Sequence, residues 1–139
     1  MSPGNEARTL EQLLLEAAET LFPDADPPPR LDLHAKDGSG DTALHVCLWR
    51  GDEVAARALI AHGADVNAIG DMGETPLHVA MRQAGPRTLA ALMAAGSRRD
   101  VVSEFRQTPQ DVAVETGRLA VYEEALALAL APPRRRRPG

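Results

Sequence analysis

Aromatic residues, lysine and cysteine are scarce in this chain of 139 residues, and each shortage excludes something. With one cysteine, Cys47, no disulfide can form within the chain. With aromatics at 3%, the core cannot be built round large rings, while alanine and leucine are abundant. Small side chains let helix axes approach to about 8–10 Å, which suits a stack of short helices. Lysine occurs once, as Lys36, against fourteen arginines, a skew associated with GC-rich, often bacterial, genomes. No apolar run is long enough to span a bilayer. Met1 to Thr9 lacks the basic segment and apolar stretch of a secretory signal, so a cytoplasmic chain is expected. Phosphate-binding glycine loops, zinc-ligand spacings and paired-acid signatures are also missing, so no catalytic residue, metal or cofactor is expected.

Net charge is −5, unevenly spread. Arg134, Arg135, Arg136 and Arg137 lie in the last six residues, and the rest holds 11 basic against 20 acidic residues. Such a body is a poor match for nucleic acid, whose phosphates want a basic face. A partner with a basic surface suits it better. The arginine run could contact nucleic acid, another acidic surface or an import receptor, or remain solvated.

What the chain does have is a period. Thr42-Ala43-Leu44-His45 returns 33 residues later as Thr75-Pro76-Leu77-His78, and again as Thr108-Pro109-Gln110-Asp111. Gly63-Ala64-Asp65-Val66-Asn67-Ala68 falls on Gly96-Ser97-Arg98-Arg99-Asp100-Val101 at the same shift. A constant period of this size marks stacked supersecondary units, none of which buries its own apolar face.

Thr75-Pro76-Leu77-His78-Val79-Ala80 and the turn Ala61 to Ala68 resemble the ankyrin repeat. The resemblance covers about Leu31 to Leu130 and implies an all-α solenoid of helix pairs with hairpin-like turns projecting to one side. It also implies a non-catalytic role in protein binding. Ankyrin histidines at the positions of His45 and His78 join hydrogen bonds that hold the turns, which removes them as metal candidates.

Unit boundaries follow from local signals. Thr9 to Phe22 carries Leu10, Leu13, Leu14, Ala17, Ala18 and Leu21 at three- and four-residue intervals, one apolar stripe. Thr9 with Gln12 offers a capping box. Pro23 to Pro29 cannot continue a helix. Residues 1–30 are therefore expected to form a capping helix and a proline-rich linker. Repeats follow at about 37–69, 70–102 and 103–131, then a disordered basic tail at 132–139. Thr42, Thr75 and Thr108 should each cap a first helix. Gly51 and Gly117 should break the helix pairs, so Arg50-Gly51-Asp52 reads as a helix junction. The return helices are expected over Glu53–His62, Arg87–Ala95 and Leu119–Ala131.

Binding residues follow from the resemblance. Trp49, Arg82 and Glu115 are equivalent and lie where ankyrin first helices face a concave groove. Ser39, Met72 and Phe105 are equivalent at the turn tips, and an apolar side chain on an exposed tip is a candidate contact. Asp41, Glu74 and Gln107 are equivalent, as are Arg50, Gln83 and Thr116. The expected contact set is Ser39, Asp41, Trp49, Arg50, Asp71, Met72, Glu74, Arg82, Gln83, Glu104, Phe105, Gln107 and Glu115, with Trp49, Met72 and Phe105 as anchors. Trp49 has an alternative role, covering the N-terminal cap. Cys47 aligns with Ala80 and Ala113 and reads as a buried thiol. The chain is expected to be monomeric when free. Inhibition of an enzyme or toxin, in the manner of an immunity protein, is one role such a module could serve. An adaptor subunit, or a regulator acting through its arginine run, is another.

Overall fold

The computed structural model describes residues 8–130. Seven α-helices and no strand occur among them: α1 (Leu10–Leu21), α2 (Ala43–Arg50), α3 (Glu53–Ala61), α4 (Pro76–Met81), α5 (Pro86–Ala94), α6 (Pro109–Glu115) and α7 (Leu119–Leu130). The arginine run Arg134 to Arg137 and the tail at 132–139 lie outside the described residues.

Thr9 caps α1 in a full capping box with Gln12. Thr42, Thr75 and Thr108 do the same for α2, α4 and α6, with His45, His78 and Asp111 as the third residue in. Thr75 and Thr108 share φ −83° and ψ 166°, so the third unit keeps the backbone geometry of the second. Proline at the first helical position adds a preset φ without losing a bonded N–H. Gly51 and Gly117 both end a first helix at φ 72°, a left-handed conformation that glycine adopts without a Cβ penalty. The second unit has no such glycine. There Pro86 itself opens α5, one residue before the expected start, because its missing N–H is harmless at that position.

Stacking is translational. α2 packs on α3, α4 on α5 and α6 on α7 within units; between units α1, α2, α4 and α6 form one row and α3, α5 and α7 the other. The core runs along both rows and includes Leu44, Leu48, Leu59, Leu77, Met81, Leu89 and Leu92, all essentially inaccessible. Cys47 lies in it with Ala80 and Ala113, where small side chains allow close helix contact. Burial pushes the Cys47 thiol up to about 11, so it stays protonated and unreactive at neutral pH.

The leading unit keeps only its first helix. Its linker segment leaves a cavity of about 540 Å³ against Leu10, Leu14 and Leu15. Arg8 helps fasten this cap, pairing with Glu16 at 2.8 Å and with Asp52, the N-cap of α3, at 2.6 Å. Repeat register resumes at Asp32, whose carboxylate accepts the His34 N–H as Asp65 accepts that of Asn67.

Candidate partner-binding surface

Each tip is a short turn closed by a bond from its first residue's N–H to the carbonyl of a stem residue. Asp37 donates to Asp41, Gly70 to Glu74 and Ser103 to Gln107. In the second and third tips that carbonyl accepts a second bond, from a histidine of the preceding unit. His45 Nε2 lies 3.1 Å from the Glu74 oxygen and His78 Nε2 lies 2.9 Å from that of Gln107. A carbonyl only accepts, so Nε2 carries the proton and Nδ1 is free to accept the Thr42 or Thr75 N–H of the capping box. Burial holds the His45 pKa below its ordinary value, consistent with the neutral ring this arrangement needs. Asp111 repeats the cap in the third unit without reaching onward, since no further tip follows it among the described residues.

The tips also bond to one another. The Asp41 carboxylate accepts the Asp71 N–H at 2.9 Å, and the Met72 carbonyl accepts the Glu104 N–H at 2.9 Å. Gly70 makes the first of these possible: a Cβ there would sit 2.2 Å from the Asp41 carboxylate oxygen. Met72 adopts φ 58° and is followed by Gly73 at φ 71°, the left-handed pair of a type I′ turn. A non-glycine residue in that region costs about 1–2 kcal/mol.

On this framework the expected contact residues separate into groups. Trp49, Met72 and Phe105 are 43%, 47% and 55% exposed, more than folding alone requires of large apolar side chains. Trp49 also lies near the His45 ring, with centroids 6.2 Å apart. Ser39, Asp71, Glu104 and Glu115 are exposed as well. Arg50 and Gln83 are exposed but already engaged: Arg50 bonds Thr20 of α1, and Gln83 Nε2 donates to the Leu48 and Trp49 carbonyls at 2.9 Å each. Arg118 ties the third unit to the second in a similar way, bonding the carbonyls of Met81 and Ala84.

Asp41 and Glu74 do not sit on the contact surface as expected; they are 4% and 7% exposed. Asp41 is turned inward onto the next tip, and burial raises its pKa against the lowering effect of the Asp71 N–H. Glu74 is held by Arg82 through two bonds of 2.8 and 2.5 Å, and this partner raises the Arg82 pKa. Gln107 and Glu115 form the corresponding strut in the third unit. Arg82, Phe105, Gln107 and Glu115 line one cavity of about 340 Å³, so tip, stem and helix end face a common space.

Ile69 and Val102, 47% and 59% exposed just before the second and third tips, were not in the expected set. Their signal was a β-branched residue at the same repeat position, where the first unit has Lys36. No group of three or more His, Cys, Asp or Glu placed to hold a metal occurs among the described residues. No helix among them is long and apolar enough to cross a membrane.

The family model described as ankyrin repeats (3 copies) matches residues 4–102, which takes in α1 and the first two full units. Over 39 residues the chain is 49% identical to the ankyrin repeat domain-containing protein SAT10 of Stachybotrys chartarum. That stretch is 28% of this chain and only 2% of the length of that protein. With the family model covering well over half of the sequence, and the helix pairs and threonine–histidine caps in place, the chain belongs to the ankyrin repeat family, whose repeats form protein–protein interaction modules.

Proposed function

We propose that this chain binds a protein partner without catalysis, through the strip formed by its turn tips and the exposed ends of α2, α4 and α6. Trp49, Met72 and Phe105 are the anchors, with Ser39, Asp71, Arg82, Gln83, Glu104 and Glu115 around them. The observation that carries this reading is the exposure of these three large apolar side chains on elements hydrogen-bonded to their neighbours. Elements already fixed before docking lose little entropy on binding, so more of the contact energy appears as affinity. The acidic excess outside the arginine run favours a partner with a basic surface. The role we assign is occlusion of an enzyme or toxin by a monomeric cytoplasmic protein.

The test is quantitative retention of the native partner by wild type, Trp49→Ala and Val54→Ala. Val54 is 65% exposed on α3, outside the strip, and serves as the control. Loss of a tryptophan anchor should weaken binding by about 2 kcal/mol, roughly 30-fold, with the melting temperature nearly unchanged. Equal affinity of the two variants would remove Trp49 as an anchor, and a large fall in melting temperature would make it a packing residue of the cap. Full activity of an enzymatic partner at saturation would replace inhibition by an adaptor role.

A further inference from the structure

The geometry points to the cavity between the second and third units as a receptor for one guanidinium side chain of the partner. This rests on the protein-binding reading and adds which chemical group enters and where. Four residues line the space: Arg82, Phe105, Gln107 and Glu115. Arg82 is the only cation among them, and its two terminal nitrogens are taken by the Glu74 carboxylate. It is also within electrostatic reach of Glu115. One arginine therefore faces two carboxylates, and among the described residues Glu115 has no ion-pair partner. Glu104 and Arg106, on either side of Phe105 in the tip, carry opposite charges and do not alter that balance.

The acceptors are arranged as well as charged. Gln107 donates its Nε2 to one oxygen of Glu115. That fixes the amide so that its own oxygen, together with the second carboxylate oxygen, remains able to accept. Phe105, more than half exposed, lines the same space. A planar guanidinium can stack on such a ring while its fork of donors reaches both acceptors. In the second unit the equivalent stem and helix-end residues are Glu74 and Arg82, already paired with each other, whereas in the third unit the helix-end carboxylate of Glu115 faces an amide and not a cation.

The probe is N-acetylarginine methylamide, titrated into the full chain and followed by nuclear magnetic resonance. The control is the citrulline analogue, which keeps the shape and lacks the charge. Only two phenylalanines occur, Phe22 and Phe105, so a Phe105→Leu spectrum assigns the ring signals. The arginine probe should move the Phe105 ring signals saturably. Citrulline, and the arginine probe on Glu115→Gln, should bind about two- to five-fold more weakly, as expected on losing an accessible ion pair. The backbone amide spectrum of Glu115→Gln should otherwise match wild type. A silent Phe105, or equal titration by citrulline, or unchanged binding to Glu115→Gln would overturn the assignment. Those results would leave the partner-retention experiment with Trp49→Ala untouched, so the two readings can fail separately.

Discussion

Replacing His78 by asparagine separates the two jobs of the histidine side chain. Asparagine can still accept the Thr75 N–H, now held by Nδ1 at 3.1 Å, but is too short to reach the Gln107 carbonyl at 2.9 Å from Nε2. The lost bond is worth about 1 kcal/mol net. The Gln107 carbonyl still accepts the Ser103 N–H, so it is not stranded, but the asparagine Nδ2 donor loses the partner that Nε2 had and adds to the cost. His78 is 0% exposed, so the missing ring atoms leave a small void worth about another 1 kcal/mol. The expected loss for His78→Asn is therefore at least about 2 kcal/mol by urea unfolding. His78→Ala introduces no such donor but strands the buried Thr75 N–H, at a cost of about 1–2 kcal/mol, the usual value of an N-cap interaction. Amide hydrogen exchange gives the local readout. The Ser103 amide, which closes the third tip, should exchange faster in His78→Asn. The Gly70 amide, which closes the second tip under His45, should not change. Wild-type stability in His78→Asn, or equal acceleration at Ser103 and Gly70, would refute the idea that each histidine pins the tip of the following unit.

Three further outcomes are expected. Leu77→Ala, at a fully buried core position, should destabilise the stack by about 2–5 kcal/mol in urea unfolding, and a stable variant would contradict the core assignment. Met72→Gly should stabilise the fold by roughly 0.5–1 kcal/mol, since glycine relieves the left-handed strain but loses more entropy on folding, while partner affinity falls; a less stable variant would mean that the Met72 side chain packs usefully at the tip. Stability should also decline as pH falls below about 6.5: burial lowers the His45 pKa, so the unfolded chain takes up the proton first and is favoured on acidification. The raised pKa of Asp41 acts in the opposite sense, over a window that extends upward from 3.8, so the His45→Asn comparison is what isolates the histidine. A urea midpoint lower at pH 5.5 than at pH 7.5, with the difference reduced in His45→Asn, is the check.

Local and periodic features were legible in the sequence. Thr9, Thr42, Thr75 and Thr108 announce their helices because a cap is settled within four residues. The positions of Gly51 and Gly117 follow from the same period. Contacts between units were harder to see. That Asp41 turns inward depends on Gly70, 29 residues away, leaving room for its carboxylate. That Gln83 and Arg50 are engaged depends on carbonyls and a hydroxyl of the preceding unit. Equivalent positions hold different residues, so periodicity locates them without saying what they bond. Asp41, Glu74 and Gln107 share one position, yet one carboxylate faces the next tip, one takes an arginine and one amide supports Glu115.

Tip chemistry differs with the histidine bond from the preceding unit. Gln12 occupies in the leading unit the place that His45 and His78 occupy later, but its side chain is used at Thr9, so no histidine reaches the first tip. That tip, held within itself by the Asp37 carboxylate accepting the Ser39 and Asp41 N–H groups, carries Ser39, small and polar. The second and third tips, each held by a histidine of the preceding unit, carry Met72 and Phe105. An exposed apolar side chain on a loosely held turn would lose entropy on docking and offer an unfixed greasy surface when free. On a turn already bonded to the unit before it, and to the next tip through Met72 and Glu104, the same side chain is presented with most of that ordering done during folding. On the proposed binding reading, stability and recognition are joined through His45 and His78. Because a stack's energy is close to a sum over neighbouring interfaces, loosening one histidine should disturb one tip and leave the other in place.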